Sequence, residues 1–168
     1  ADKDKFELLR LSLCQQSIPH VCTFAYEGKG ITKEYVKENF KEYINGYTIR
    51  DADGVEGYTY GLYVDYSFDN DLIADKNVCS LMWCDKTNVV VRESKCPTLY
   101  VSNKSHVSVS GDGYNSIRIY LFDESSVILE DFDENSSVLI YKYSEDANVE
   151  TGKYCLGKVK VFNKELKI

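Results

Sequence analysis

Between Ser105 and Thr151 one short phrase recurs: a polar turn ending in a small or polar pair, then alternating aliphatic residues. It reads Ser105-His106-Val107-Ser108-Val109, Asn115-Ser116-Ile117-Arg118-Ile119, Ser125-Ser126-Val127-Ile128-Leu129, Ser136-Ser137-Val138-Leu139-Ile140 and Asp146-Ala147-Asn148-Val149. The step is roughly ten or eleven residues, and even spacing of short apolar cores is the mark of stacked β units. Further strand cores at Val78-Cys79-Ser80-Leu81, Val89-Val90-Val91 and Leu99-Tyr100-Val101 keep that spacing, so the array is expected to start near residue 78.

Two architectures satisfy such an array. In an antiparallel meander each polar turn is a hairpin; in a β-solenoid each is a corner, and two phrases complete a coil of roughly twenty residues. Hairpins favour Asn-Gly or Asp-Gly, whereas these turns read Asp-Glu-Ser-Ser, Glu-Asn-Ser-Ser and Glu-Asp-Ala-Asn, with no glycine at the position that needs positive φ. A short β-solenoid is therefore expected, with the meander as the alternative.

The front of the chain is different. Phe6 to Gln16 carries a helical stripe of Phe6, Leu9 and Leu13, and after Pro19 the segment His20 to Tyr26 alternates like a strand. Thr32 to Ile44 is the clearest helix, with Thr32 as its N-cap, Asn45-Gly46 as its stop and Val36, Phe40, Tyr43 and Ile44 on its apolar face. Beyond Tyr47 the chain reads as strand, most clearly from Tyr58 to Tyr66, where aromatic and β-branched residues crowd together. The expected class is α+β: an α/β part over 1–75, a solenoid-like part over 76–152, and a basic strand or tail over 153–168.

A formal charge of −7 disfavours nucleic acid, whose phosphates need a field of opposite sign. No apolar run approaches the length of a membrane span. The charged Ala1-Asp2-Lys3-Asp4-Lys5 does not resemble a secretory signal, and Ala1 is what removal of an initiator Met leaves. Six cysteines, at 14, 22, 79, 84, 96 and 155, are too sparse for a disulfide framework and read mostly as reduced, buried, small hydrophobes.

None of the candidate chemical sites is complete. Asp51-x-Asp53-Gly54 with Glu56, and the Asp69-Asn70-Asp71 turn, are oxygen-rich but lack the spacing of a calcium loop. Cys14, His20 and Cys22, or Cys79, Cys84 and Cys96, lack the close cysteine pair of a zinc site. His20 and His106 have no orienting third group for nucleophilic catalysis, and His106 alternates away from Val107 and Val109 toward solvent. Gly28-Lys29-Gly30 and Gly111-Asp112-Gly113 lack the nucleotide-loop pattern. The pairs Asp123-Glu124, Asp131-x-Asp133-Glu134 and Glu145-Asp146 fall at nearly every turn, as solvated corners do, although paired carboxylates are also the apparatus of glycoside hydrolysis. No catalytic residue, cofactor or metal is expected. Lys153, Lys158, Lys160, Lys164 and Lys167 make the last segment basic beside an acidic array; it docks on a partner or simply protects a strand edge.

The phrases Ser125-Ser126-Val127, Asn135-Ser136-Ser137-Val138 and Asp146-Ala147-Asn148-Val149 resemble the D-N-x-S-V type repeats in uncharacterised proteins of gut Bacteroidetes and their tailed, crAss-like bacteriophages. The resemblance is most specific over 105–151 and carries no functional residues with it. It implies a non-enzymatic virion component, made in the bacterial cytoplasm: a capsid-decorating or head–tail accessory subunit that binds other virion proteins. Because elongated β modules commonly associate side by side, a homotrimer is the oligomer expected of it. The partner-binding residues expected from the basic end are Lys158, Lys160, Phe162 and Lys164. A glycan- or receptor-binding module using exposed tyrosines is the first alternative, and a small carbohydrate-active enzyme the second.

Overall fold

The computed structural model describes residues 32–39, 41, 44–45, 49–50, 59–67, 71–74, 77–92 and 96–165. The expected helix over 6–16 and strand over 20–26 lie outside them, as do Cys14, His20, Cys22, the Asp51 to Glu56 turn, and Asp69 and Asn70. Thr32 does cap a helix, its Oγ1 accepting from the Tyr35 N–H at 3.1 Å. That helix, α1 (Lys33–Asn39), ends earlier than the periodicity predicts and buries Val36.

The strands are β1 (Ile49–Arg50), β2 (Thr59–Val64), β3 (Leu72–Ala74), β4 (Val78–Met82), β5 (Thr87–Val91), β6 (Thr98–Ser102), β7 (His106–Gly111), β8 (Ser116–Leu121), β9 (Ser126–Phe132), β10 (Ser137–Lys142), β11 (Asn148–Cys155) and β12 (Lys158–Asn163). They form a seven-stranded sheet in the order β1-β2-β4-β6-β8-β10-β12 and a five-stranded sheet in the order β11-β9-β7-β5-β3. From β2 onward every strand lies parallel to the strand one coil away; only β1 runs antiparallel to its neighbour, β2. The chain is a β-solenoid of about five turns. The meander is overturned because hairpins make antiparallel neighbours. The α+β class is too generous to helix: among the described residues there is one, of seven residues.

The array also reaches further forward than Val78. Tyr60 lies beside Val78, Val78 beside Thr98, Val101 beside Leu121 and Val138 beside Val159, so parallel pairing crosses residue 76 at one end and 152 at the other. Inside, Cys79, Leu99, Ile119 and Ile140 stack in one column of the long sheet, and Val89 and Val109 face them from the short one; all are 1% exposed or less.

The recurring phrase now has a physical meaning. The residue just before each strand, which opens every phrase but the fifth, turns inward: Ser105, Asn115, Ser125, Ser136 and Ala147 are each at most 1% exposed. The buried hydroxyls serve neighbouring coils. Ser105 Oγ accepts from the Cys84 N–H at 2.9 Å, Ser136 Oγ accepts from the Asn115 N–H at 3.0 Å, and Ser125 Oγ donates to the Val101 carbonyl at 3.0 Å. The next residue, His106, Ser116, Ser126, Ser137 or Asn148, opens the strand at or near the surface, and the one after it enters the interior. A buried main-chain group without a partner costs about 1–3 kcal/mol, so the small hydroxyls of Ser105, Ser125 and Ser136 help keep successive coils in register.

Candidate functional site

The two ends of the stack differ. At the front, α1 is tied to the first coil by Lys33 and Lys37, whose Nζ atoms each lie 3.0 Å from the Asp65 carboxylate. Asn45 Oδ1 accepts from the Val64 N–H at 2.9 Å, and β1 occupies the outer edge of β2. The outward-facing Leu62, Val64 and Met82 are buried there.

The Lys37 hydrogen bond, and then that from Lys33, hold the Asp65 carboxyl below its ordinary value of 3.8. Since the folded pKa is the lower one, the contribution is present above the unfolded pKa and lost as pH falls through the folded value. The pair is partly exposed, which limits it to about 1 kcal/mol. Asp65→Asn suits the residue's φ of 53° and removes only the charge. Its stability deficit against the parent chain, from urea unfolding at successive pH values, is expected to be constant near neutrality and to shrink as the pH falls below the ordinary value of 3.8 and the carboxylate is protonated. A deficit independent of pH refutes the assignment.

At the back, β12 lies on β10 in unbroken parallel register from Ser137/Lys158 to Lys142/Asn163. Among the described residues no strand covers its other edge. Among the described residues no strand of the short sheet follows β11 to face β12. Val159 is half-buried, and Val161, in the column of Ile119 and Ile140, is 46% exposed. On the outward side of β12 lie Lys158, Lys160 and Phe162, with Lys164 just beyond, all exposed. The four residues expected to bind a partner therefore share one rim. Lys142, Tyr143, Ser144, Glu145, Asn163, Lys164 and Glu165 enclose a cleft of about 750 Å³ at its far end.

An aromatic column missed at the level of sequence leads to this rim. Tyr100, Tyr120, Tyr141 and Phe162 occupy one register position on successive coils. Their ring centroids are 4.8, 4.8 and 5.5 Å apart, with planes within 22° of parallel. Phe122 and Tyr143 stack beside them at 5.1 Å. The separation matches the distance between paired strands, so the backbone sets it. Burial first, then the neighbouring Tyr141, pushes the Tyr143 phenol up; Tyr120 shifts the same way, chiefly from burial. Exposure rises along the column, from buried Tyr100 through half-buried Tyr120 and Tyr141 to Phe162 at 40%. The signal was legible as aromatics 20 or 21 residues apart, twice the period of the repeated phrase.

The other candidates stay apart. Among the described residues no three His, Cys, Asp or Glu side chains gather as a metal site, so Cys79, Cys84 and Cys96 form no zinc triad. His106 is exposed and shares a hydrogen bond with Ser126 Oγ across one coil. The carboxylates of Asp131, Asp133, Glu134, Glu145 and Asp146 are exposed as solvated corners should be, but Asp123 is turned in. Among the described residues no helix is long and apolar enough to cross a membrane.

The described cysteines are free, and they are not uniformly buried: Cys79 and Cys84 are, Cys155 is half-buried and Cys96 is exposed. Burial pushes the Cys84 thiol up to about 12. In the native protein iodoacetamide is expected to modify Cys96 and to leave Cys79 and Cys84 intact until denaturant is added, as mapped by peptide mass spectrometry. Labelling of Cys84 at the rate of Cys96 contradicts the buried corner. Comparison with protein-family models, with curated proteins and with solved structures gives no match for this chain.

Proposed function

We propose that the chain is a non-enzymatic structural subunit of a bacteriophage virion, a capsid-decorating or head–tail accessory protein that docks on other virion proteins through the open end of its solenoid. The observation that carries the docking role is the contrast between the ends. At the front β2 is partly covered by β1 and tied to α1 through Asp65, whereas at the back, among the described residues, one edge of β12 is unpaired and the strand and its end bear exposed Val161, Phe162 and three lysines. Interfaces of this kind combine an apolar centre with a charged rim. Between the two ends the stacked coils form a stiff spacer that needs no catalytic group. The virion setting is supported by the resemblance of the S-S-V phrases to phage repeats.

Glycan recognition ranks second on a specific observation. A sugar stacks on a free aromatic face, and in the outer column each inner ring lies between two neighbours. Quantitative mass spectrometry of purified virions of the encoding phage tests the leading proposal. A copy number matching capsid or tail symmetry supports it, and absence of the chain from intact particles overturns it.

A further inference from the structure

β12, the last described strand, has the features of an acceptor for one more strand, and they specify the chemistry of that strand. We infer that the edge of β12 that no described strand covers takes up an acidic, aromatic-bearing β-strand from a partner protein, laid parallel to β12 so that it adds a further rung to the long sheet. The inference rests on the docking role proposed above and names the partner's chemistry.

Three observations select the occupant. The first is the template. β12 keeps six consecutive residues in register with β10, whereas β11, the other strand at this end, has a register shift between Thr151 and Tyr154. An unbroken edge can continue a ladder, while a bulged one twists away from further pairing.

The second is charge. Lys158 and Lys160 point outward from β12, Lys164 follows, and the strand itself contains no acid. A strand with acidic residues at the matching outer positions gains three opposite-charge neighbours. A second copy joined through the same edge would set one lysine-bearing strand against another, which disfavours self-assembly through β12.

The third is continuity of the columns. Inward, Val159 and Val161 end columns of aliphatic residues and remain partly open. Outward, Phe162 ends the stack of Tyr100, Tyr120 and Tyr141, with one ring face covered by Tyr141 at 5.5 Å. Lys164 Nζ lies 6.0 Å from the Phe162 centroid, which adds positive charge beside the rim. A partner aromatic at this register covers the remaining face, and two aliphatic residues extend the interior. The matching strand reads acid, aliphatic, acid, aliphatic, aromatic, polar, acid. Main-chain hydrogen bonds supply affinity in strand addition, and the alternate side chains supply selectivity.

The test uses the full chain and the synthetic peptide Glu-Val-Glu-Val-Tyr-Asn-Glu, with Lys-Val-Lys-Val-Tyr-Asn-Lys as its charge-reversed control, titrated by isothermal calorimetry and by amide NMR shifts. The acidic peptide is expected to bind, to shift β12 amides most, and to weaken as salt rises. Lys158→Glu with Lys160→Glu, both at exposed positions, is expected to weaken it more than tenfold and to admit the basic peptide instead. Phe162→Ala should weaken it about tenfold, a contact worth about 1.4 kcal/mol. Thermal melts establish that each variant is folded. Equal binding of both peptides, shifts centred away from β12, no binding at millimolar peptide, or a dimer of the parent chain that closes through β12 each overturns the inference. Absence of the chain from virions while the acidic peptide binds refutes the virion setting alone; presence in virions without peptide binding refutes the strand acceptor alone.

Discussion

Ile119→Ala is expected to lower the stability of the chain by about 4 kcal/mol, near the upper part of the range for removing a fully buried Ile side chain beyond its β-carbon. Ile119 is fully buried in the middle of the stack, between Leu99 on one coil and Ile140 on the next. A solenoid interior has no distant elements to collapse onto a hole, because each coil touches only its neighbours. The same geometry predicts where the loss is felt. β10, β11 and β12 reach the rest of the stack through the coil that holds Ile119, so their amides should lose hydrogen-exchange protection before those of β4 and β5. Arg118→Ala, on the exposed side of the same strand, is the matched control and should stay within about 0.5 kcal/mol. Urea unfolding and hydrogen exchange measure the two effects. A loss for Ile119→Ala under about 1 kcal/mol, or protection lost evenly along the stack, contradicts nearest-neighbour coupling.

That coupling explains which parts of the fold were legible in the sequence. Each phrase from 105 to 149 must meet the same phrase one coil away, so its residue types recur and the solenoid can be read directly. Toward the front the demand relaxes. The interior position filled by Leu99 and Ile119 is Cys79 in β4 and Gly61 in β2, and the corner filled by Ser105 and Ser125 in later coils has Cys84 bonding to it from the coil before. These residues fit the geometry without repeating the letters, and the first coil is shorter, so β2 reads as an aromatic strand and not as part of an array. The helix from 32 to 44 was overestimated because apolar spacing continues past Asn39, where the described helix ends.

The candidate site was only half legible. Lysines crowding the last strand show a basic end in sequence. That Val161 is exposed does not show, because it depends on β11 being the last described strand of the short sheet. The aromatic column was missed for another reason. Its members stand one per coil, and a search at the ten-residue step of the phrase passes over a signal with twice that period. Asp123 was hidden by its neighbours: acidic residues fill nearly every turn, and composition cannot show which one faces inward.

Asp123 is consequently the most informative corner to change. It sits at φ 60°, in the left-handed region, and its Oδ2 accepts from the Asn103 N–H at 2.9 Å on the preceding coil. Asn103 has φ 61° at the equivalent corner, so an Asx residue at this place supplies both an uncommon backbone conformation and a bond between coils. Three substitutions separate the two contributions. Asp123→Asn keeps a side-chain oxygen and tolerates the conformation, so its cost should stay under about 1 kcal/mol. Asp123→Gly keeps the conformation and loses the acceptor, leaving the buried Asn103 N–H unpaired for about 1–2 kcal/mol. Asp123→Ala loses both, adding about 1 kcal/mol for left-handed backbone to reach about 3 kcal/mol in all. The expected order of stability in urea is parent, Asn, Gly, Ala. Hydrogen exchange should show the Asn103 amide less protected in the Gly and Ala variants alone. If Ala and Gly cost the same, backbone conformation contributes nothing at this corner; if Asn is as damaging as Ala, the negative charge and not the shape of the side chain holds the coils together.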